Sequence, residues 1–304
     1  AALGITMRGA GLNRARGGMR GFWNHLVARY ESLGGELRRA HRVERIEGSH
    51  SDFTLHTSRG TVAAKQVIST LPIELTHQLS PPAVREVLST FVERDRQARG
   101  GAIVVFLGVP ESEVGEQLFT HHQLLQSYEA PLGNGNNMFI SVSSPGDTDS
   151  APAGWRSVMI STHCELDEWE GLEPAEYARR KKEIGQTLIE YARRVFPDLG
   201  RSARIIEVGT PMTYERFTGR PRGAVGGIRL DLARTNQRAV PHEIGVPGFF
   251  LAGDTTWPGV GTVACVINGR AAADHALAAC PRNRLVPSNL PPVSCDIAIE
   301  ATHT

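Results

Sequence analysis

The sequence predicts a mixed α/β protein with two domains, on three observations. The chain has 304 residues, about twice the length of a common single domain. Amphipathic helical segments alternate with short apolar segments of β character along most of this length. Near the carboxyl end, residues 249–264 form an apolar strand pattern, a polar turn with glycines and the start of a helix. The composition, with 40% hydrophobic and 21% charged residues, is that of an ordinary globular protein.

The first third of the chain predicts one helix followed by short strands. The helix starts at Gly17-Gly18-Met19, its apolar residues recur at helical spacing, and Gly34-Gly35 ends it. A proline, Pro72, stops the last of the strands. The strands are expected over residues 41–46, 53–57 and 67–71.

The middle of the chain predicts helices and longer strands. One helix opens at Pro81-Pro82 and runs to Arg96, and a longer one opens at Pro174 and ends before Pro197. Residues 111–137 are polar with several glycines, so we expect a loop there. Residues 281–304 contain four prolines and no periodicity, which predicts a disordered tail. Strands are expected over residues 102–107, 138–143, 157–163 and 203–208.

Charge and cysteine content exclude several classes of function. A net charge of +1 gives no reason to expect a nucleic-acid partner. The four cysteines have no C-x-x-C spacing, so we predict no metal site and expect a reducing, cytoplasmic compartment. The longest apolar run, residues 102–107, is far shorter than the about 20 residues that a membrane span needs.

Gly259, Gly261 and Ala264 satisfy the spacing G-x-G-x-x-A of a dinucleotide-binding fingerprint. That fingerprint needs its first glycine at the end of a strand, because the diphosphate meets the following helix N-terminus directly. Here residues 253–258 separate the strand from Gly259. No strand with a ribose-binding acid follows about 20 residues further on. We therefore reject this interpretation.

The same segment indicates another kind of cofactor site. Gly253-Asp254 places a carboxylate at the end of the strand, where it can accept hydrogen bonds from the hydroxyls of a polyol. Its glycines allow the backbone to approach a flat ring closely. A helix that starts near Thr262 offers free N–H donors, which would stabilise the negative charge of a reduced flavin ring by about 0.3–1 kcal/mol. Taken alone, a strand-end Gly-Asp is more often only a turn.

Three ordered blocks of sequence resemble one known family. Residues 249–277, with Gly253-Asp254 and Asn268-Gly269-Arg270, resemble the C-terminal FAD-binding segment of the amine-oxidase and phytoene-desaturase superfamily. A second block, from Arg16-Gly17-Gly18-Met19 to Pro72, resembles the second segment of that family that contacts FAD. Residues 209–227 are closer to the carotenoid desaturase and isomerase branch. The resemblance covers residues 8–280.

The resemblance implies a fold and a division into domains. We expect an incomplete FAD/NAD(P)-binding Rossmann-like domain from residues 1–75 and 215–280, and a substrate domain with a mixed β-sheet and helices from residues 76–214. The family begins with a βαβ unit that bears G-x-G-x-x-G and a ribose-binding acid, and this sequence has neither. By analogy, about 150–200 residues, one domain's worth, would precede it. The isolated chain is therefore expected to bind FAD weakly or not at all, and to aggregate.

The resemblance also implies cofactor contacts, but it assigns no catalytic residue. One contact is the backbone of a residue that meets the adenine. A second group is a strand end that crosses above the cofactor. The remaining groups are the strand-end Gly-Asp near the ribityl chain and pyrophosphate, and the helix start near the flavin ring. Val43 matches the adenine contact, and Thr70 and Leu71 match the strand end that crosses above the cofactor. Gly253 and Asp254 match the strand-end Gly-Asp, and Gly261, Thr262 and Val263 match the helix start.

The implied activity is hydride transfer between FAD and an apolar substrate. The branch resemblance suggests a polyene isoprenoid that is desaturated or isomerised, and such a substrate suggests peripheral membrane contact. The basic run at residues 179–182 favours a solvated helix face over lipid binding. Two alternatives stay open. An amine oxidase would commonly have an aromatic pair facing the flavin, and only Trp257 lies near the cofactor segment. A truncated, non-enzymatic product would be unable to hold FAD.

Overall fold

The computed structural model describes residues 17–116, 119–229 and 231–280, and it confirms the mixed α/β class. The tail predicted at residues 281–304 lies outside this part of the chain. The helices of seven or more residues are α1 Gly18–Ser32, α2 Ile73–Leu79, α3 Pro82–Asp95, α4 Pro174–Ala192, α5 Pro211–Thr218 and α6 Thr262–Ala278. The strands are β1 Val43–Ser49, β2 Asp52–Thr57, β3 Gly60–Ala64, β4 Val67–Ser69, β5 Arg99–Pro110, β6 His121–Leu125, β7 Asn137–Val142, β8 Trp155–Cys164, β9 Ile205–Gly209, β10 Val225–Ile228 and β11 Phe249–Leu251.

The largest sheet has six strands in the order β10-β5-β8-β7-β6, with β9 also paired to β5. Its pairs are antiparallel. Along β5 the side chains alternate between two faces: Ile103, Val105 and Leu107 are buried in a core that also contains residues of α4. Phe106 points to the other face and is half exposed. One face of this sheet is therefore packed and the other is open.

A second core joins the elements at the two ends of the chain. The strands β1-β2-β3 form an antiparallel sheet, and β4 pairs in parallel with β11. Phe53 and Phe249 are both fully buried and meet edge to face, with ring centroids 5.9 Å apart. Val84 and Leu88 of α3 belong to the same core. The division at residue 75 stays a prediction, because two cores within one chain do not by themselves define domain boundaries.

Most sequence-predicted elements are present, with shifted ends. Strand β6, however, lies inside residues 111–137, where a loop was expected, so that part of the prediction is wrong. Its five residues pair fully with β7, and this pairing satisfies the backbone of a segment whose side chains are largely polar. Helices α2 and α5 and strands β3 and β10 are short elements that the sequence pattern did not predict.

Helix α1 confirms the predicted start at Gly18 and the predicted end at Gly34-Gly35, whose N–H groups donate to Glu31 and Tyr30 carbonyls. None of its residues is buried. The outer side of α6 is also apolar and exposed. The exposed apolar residues of the two helices are Met19, Trp23, Leu26 and Tyr30 on α1, and Val263, Val266, Ile267 and Leu277 on α6.

These exposed faces predict that the chain self-associates when it is alone in solution. We expect sedimentation velocity to show concentration-dependent association, which Leu26→Glu reduces because it places a charge on the apolar side of α1. The matched control is Asn24→Glu on the same helix, an exposed polar residue whose replacement should leave association unchanged. A monomeric wild-type chain would contradict this prediction.

Candidate functional site

The carboxyl ends of β4 and β11 lie side by side. In this parallel pair Leu251 is opposite Ser69, and the N–H of Ala252 donates to the Ser69 carbonyl at 2.9 Å. Gly253 has φ 100, and a Cβ there would lie 2.7 Å from the Thr70 carbonyl oxygen. Only glycine tolerates this close approach. The structure therefore brings Thr70 and Leu71, which follow β4, next to Gly253 and Asp254, which follow β11.

Asn268 of α6 fixes this turn. It is 1% exposed, and its Nδ2 donates to the Gly253 carbonyl at 2.6 Å. The Gly253 N–H donates in return to Asn268 Oδ1 at 3.1 Å. Both polar groups of a buried amide are thus satisfied by one residue. Sequence reasoning included Asn268 in a family motif but gave it no role, and this positioning role requires the tertiary structure.

Asp254 is ion-paired with Arg220, which sequence reasoning missed. Arg220 Nη2 lies 3.0 Å from Asp254 Oδ2 and 3.1 Å from Oδ1. Its Nε donates to the Ala224 carbonyl at 2.8 Å. Both side chains are 21% exposed. The segment between α5 and β10 therefore supplies Asp254 with a charged partner inside the protein.

Within the described residues, the start of α6 has no side-chain cap. Its N-cap residue, Gly261, has φ 103 and makes no side-chain cap, and a Cβ there would meet no atom within 4 Å. Thr262 and Val263 are exposed. The first N–H groups of the helix, with their partial positive charge, are therefore left without a side-chain acceptor from the N-cap residue.

Cys265 lies one turn into α6, and the pKa of its thiol responds to both members of the ion pair. Burial raises the pKa of its thiol, the Asp254 carboxylate raises it further, and the Arg220 guanidinium lowers it. Both charges therefore act on the first turn of this helix. The strand-end turn, the ion pair and the helix start form one site, which we call the β11–α6 site.

Val43 lies apart from that site. It is the first residue of β1, in a sheet that does not pair with β4 or β11 within the described residues. Its side chain is partly buried against the second core. Its role as an adenine contact stays a prediction, and it would act through its backbone.

His242 is joined to β11 by two hydrogen bonds. The Leu251 N–H donates to the His242 carbonyl at 2.9 Å, and His242 Nδ1 donates to the Leu251 carbonyl at 3.2 Å. The ring lies edge-on to Trp257, with centroids 6.2 Å apart, and 6.3 Å from the ring of His275. His275 in turn faces Glu243 at 3.4 Å. Burial lowers the pKa of His242, His275 lowers it further, and the bond to Leu251 opposes both effects.

This lowered pKa predicts that the protein loses stability in acid. The folded state favours neutral His242, so below the unfolded pKa of about 6.5 the unfolded chain binds more protons. The contribution is fully present above that pH and is lost as the pH falls through the folded pKa. We expect His242→Asn, which keeps an amide donor for Leu251, to show a smaller fall in melting temperature between about pH 7.5 and pH 5. Parallel curves for the two proteins would contradict the assignment.

Two clefts are the most prominent in the described part of the chain. The larger, of 810 Å³, includes Arg220 in its wall, and ten of its sixteen lining residues are charged. Most of its arginines are already paired with carboxylates: Arg99 with Glu74, Arg220 with Asp254, Arg222 with Asp167 and Glu170, and Arg94 and Arg234 with Asp95. The smaller cleft, of 480 Å³, lies on the open face of the large sheet and is mainly apolar.

No helix within residues 17–116, 119–229 and 231–280 is long and apolar enough to cross a membrane. In that part of the chain, no group of three or more His, Cys, Asp or Glu side chains is placed to hold a metal ion.

Comparison with known sequences shows that one family model matches most of this chain. Residues 3–277 match the family described as flavin containing amine oxidoreductase. The chloroplastic prolycopene isomerase of Arabidopsis thaliana is 29% identical over 183 residues, which are 57% of this chain and 30% of that protein. The corresponding Daucus carota protein is 27% identical over 183 residues, 57% of this chain and 29% of that protein. The chain thus spans about 30% of the length of these curated relatives.

Comparison with solved structures shows the same fold. An oxidoreductase from Methanosarcina mazei matches with a TM-score of 0.55 and 16% identity, over 85% of this chain and 55% of that chain. Cyclohexylamine oxidase from Brevibacterium oxydans matches with a TM-score of 0.52 and 16% identity, over 78% of this chain and 48% of that chain.

Proposed function

Because the chain belongs to the flavin containing amine oxidoreductase family, we propose that it is part of an FAD-dependent oxidoreductase that desaturates or isomerises a polyene isoprenoid. The observation that carries the cofactor part is the β11–α6 site. The relatives named prolycopene isomerase support the substrate part. Since the chain spans about 30% of their length, the activity is proposed for the whole protein to which these residues belong.

The β11–α6 site fits a flavin in two respects. Within the described residues the start of α6 has no side-chain cap, and a Cβ at Gly261 would meet no atom within 4 Å, so the first N–H groups of the helix are free to stabilise negative charge on a reduced ring. The Asp254 carboxylate is partly exposed and uses only one Arg220 nitrogen, so it retains lone pairs that can accept hydrogen bonds from ribityl hydroxyls.

Each residue of the site then has a distinct task. Hydride transfer is the chemistry that bound FAD supplies. Asp254 would orient the polyol chain, and Arg220 holds that carboxylate in place through its second contact, with Ala224. Asn268 holds the turn at Gly253 through two hydrogen bonds. Hydrogen bonds within the protein would therefore already hold the carboxylate and the turn in place when the cofactor binds.

The smaller cleft suits an apolar substrate better than the larger one. Leu125, Leu132 and Phe139 contribute to its lining, whereas the larger cleft is lined mainly by charged residues. A polyene gains free energy by leaving water for an apolar surface. The larger cleft offers it little such surface, because its lining consists mainly of charged side chains, and most of its arginines are paired with carboxylates. We therefore assign the substrate to the open face of the large sheet.

Product analysis tests this function. The intact protein, supplied with FAD, is incubated in one series with cis-configured polyene isoprenoids and in another with a panel of primary amines. We expect altered double-bond geometry or number in the polyenes and no hydrogen peroxide from the amines. Amine oxidation with unchanged polyenes would instead support the amine oxidase alternative. The absence of bound flavin and of both activities would support the non-enzymatic alternative.

Peripheral membrane contact is part of the same proposal, because a polyene substrate dissolves in membranes. The basic run of α4 does not itself support it: Arg179 is paired with Glu176 and Glu183, and Arg180 is paired with Glu176. These pairs favour a solvated helix face. Flotation of the intact protein with liposomes, with and without anionic lipid, tests the contact, and a protein that stays at the bottom of the gradient would refute it.

A further inference from the structure

The smaller cleft contains a histidine that the proposed function has not used. His163 lies near the end of β8 on the open face of the large sheet, and its side chain is exposed. Asn137, at the start of β7, faces the same cleft of 480 Å³. An exposed imidazole in a largely apolar wall is not explained by core packing, since it buries little surface.

The hydrogen bonds around Asn137 determine which way its amide points. The Gly133 N–H donates to Asn137 Oδ1 at 2.6 Å. A backbone N–H can only donate, so the atom that it meets must be the amide oxygen. The amide nitrogen therefore faces His163, with Asn137 Nδ2 2.8 Å from His163 Nδ1.

The same bonds then determine the tautomer of His163. The amide nitrogen can only donate, so Nδ1 must accept and cannot carry a proton. In the neutral ring the proton is consequently on Nε2. His163 thus presents a fixed N–H donor, while a freely rotating hydroxyl such as that of Ser161 can either donate or accept.

The loop that sets this arrangement is tied to β8 by several bonds. The Asn134 N–H donates to the His163 carbonyl at 2.8 Å. The Gly135 N–H donates to Thr162 Oγ1 at 2.9 Å, and that hydroxyl donates to the Asn137 carbonyl at 2.7 Å. Gly133 has φ 111, and a Cβ there would lie 3.1 Å from the His163 carbonyl. Several hydrogen bonds between the loop and β8 therefore hold the donor in place, as a specificity group requires.

We propose that His163 Nε2–H is a specificity-determining hydrogen-bond donor in this cleft. It selects apolar molecules that carry a hydroxyl or carbonyl oxygen over the corresponding hydrocarbons. The inference rests on the proposed function, because it narrows the substrate class of that cleft from polyene isoprenoids in general to those that bear an oxygen. Cavities of this size commonly bind small apolar ligands through a few well-placed polar groups.

The tautomer is tested first, on the 304-residue chain without cofactor or substrate. Long-range 1H–15N correlation spectra of the histidine rings are recorded at alkaline pH, where free imidazole is neutral. The His163 signals are assigned by their loss in His163→Gln. We expect a protonated Nε2 and an unprotonated Nδ1. A proton on Nδ1, or a rapidly averaged ring, would overturn the inference.

The selectivity is tested with retinol and its hydrocarbon analogue, in which a methyl group replaces the hydroxymethyl group. Wild-type protein should bind retinol about two- to tenfold more tightly, the value of one neutral hydrogen bond. His163→Phe should abolish the difference, because phenylalanine keeps the ring but has no donor. His163→Gln should retain it, because its amide nitrogen can still donate. Ser161→Ala, in the same cleft, should also retain it.

The outcomes separate this inference from the proposed function. Equal binding of the two probes by wild type, or a preference that survives His163→Phe, overturns the inference and leaves an apolar substrate cleft standing. A preference that is lost in Ser161→Ala assigns the donor to Ser161 and overturns it too. If wild type binds neither probe, both the inference and the assignment of substrate to this cleft are refuted.

Discussion

Gly227→Ala is expected to destabilise the protein by about 3 kcal/mol or more. Gly227 has φ +66, and a Cβ there would lie 2.2 Å from the Asp254 carbonyl oxygen and 2.6 Å from Val260 Cγ1. Alanine must therefore accept a left-handed conformation and also push away the backbone that carries Asp254. Denaturant unfolding of the purified variant measures the loss. Soluble variant that survives is also expected to bind FAD more weakly, because the same shift displaces the carboxylate.

The neighbouring glycine provides a matched control. Gly226 has φ +80, and a Cβ there would meet no atom within 4 Å. Gly226→Ala therefore has only the conformational strain, about 1–2 kcal/mol. Both variants replace a glycine of β10 by alanine at a positive φ. The difference between their losses of stability therefore measures the effect of the close approach to Asp254. Equal losses in the two variants would show that this approach does not matter.

Asp254→Ala is expected to weaken FAD binding by the intact protein about ten- to hundredfold, the value of lost hydrogen bonds to a charged group. The variant also leaves the partly buried Arg220 without its carboxylate, so some loss of apo-protein stability accompanies it. We expect the loss of affinity to be the larger effect. FAD titration, with melting of the apo-protein in parallel, separates the two.

Two further variants give these values a scale. Asp254→Asn should lose less affinity, because its amide oxygen still accepts from a hydroxyl. Asp274→Ala should change affinity little: Asp274 is exposed on the same helix, and its carboxylate lies 3.9 Å from Arg270 Nε. If Asp254→Ala binds FAD like wild type while its apo form melts much lower, Asp254 is a structural turn residue and the site assignment is wrong.

Local pattern was sufficient for elements whose periodicity is strong. Helices α3 and α4 begin at the prolines that predicted them, because a proline at the first helical position has no N–H to satisfy. Strand β6 was missed because two histidines and a glutamine carry no apolar alternation. Its pairing with β7 decides its conformation, and that partner is remote from any window in which periodicity is measured.

The candidate site shows the same contrast. The sequence placed Gly253 and Asp254 at a strand end and Gly261, Thr262 and Val263 at a helix start, since glycines and apolar runs mark such boundaries locally. It could not pair Asp254 with Arg220, 34 positions away, because an arginine can reach any carboxylate that the fold brings near it.

What the sequence by itself determined is therefore the class of fold, the family and the local chemistry of the strand end. Each of these depends on residue types at short spacing or on ordered motifs along the chain. Only the tertiary structure decided that Arg220 pairs with Asp254 and that Asn268 forms hydrogen bonds with Gly253. It also decided that Asn137 sets the tautomer of His163. Each of these depends on a distance or a hydrogen-bond direction between residues that only folding brings together.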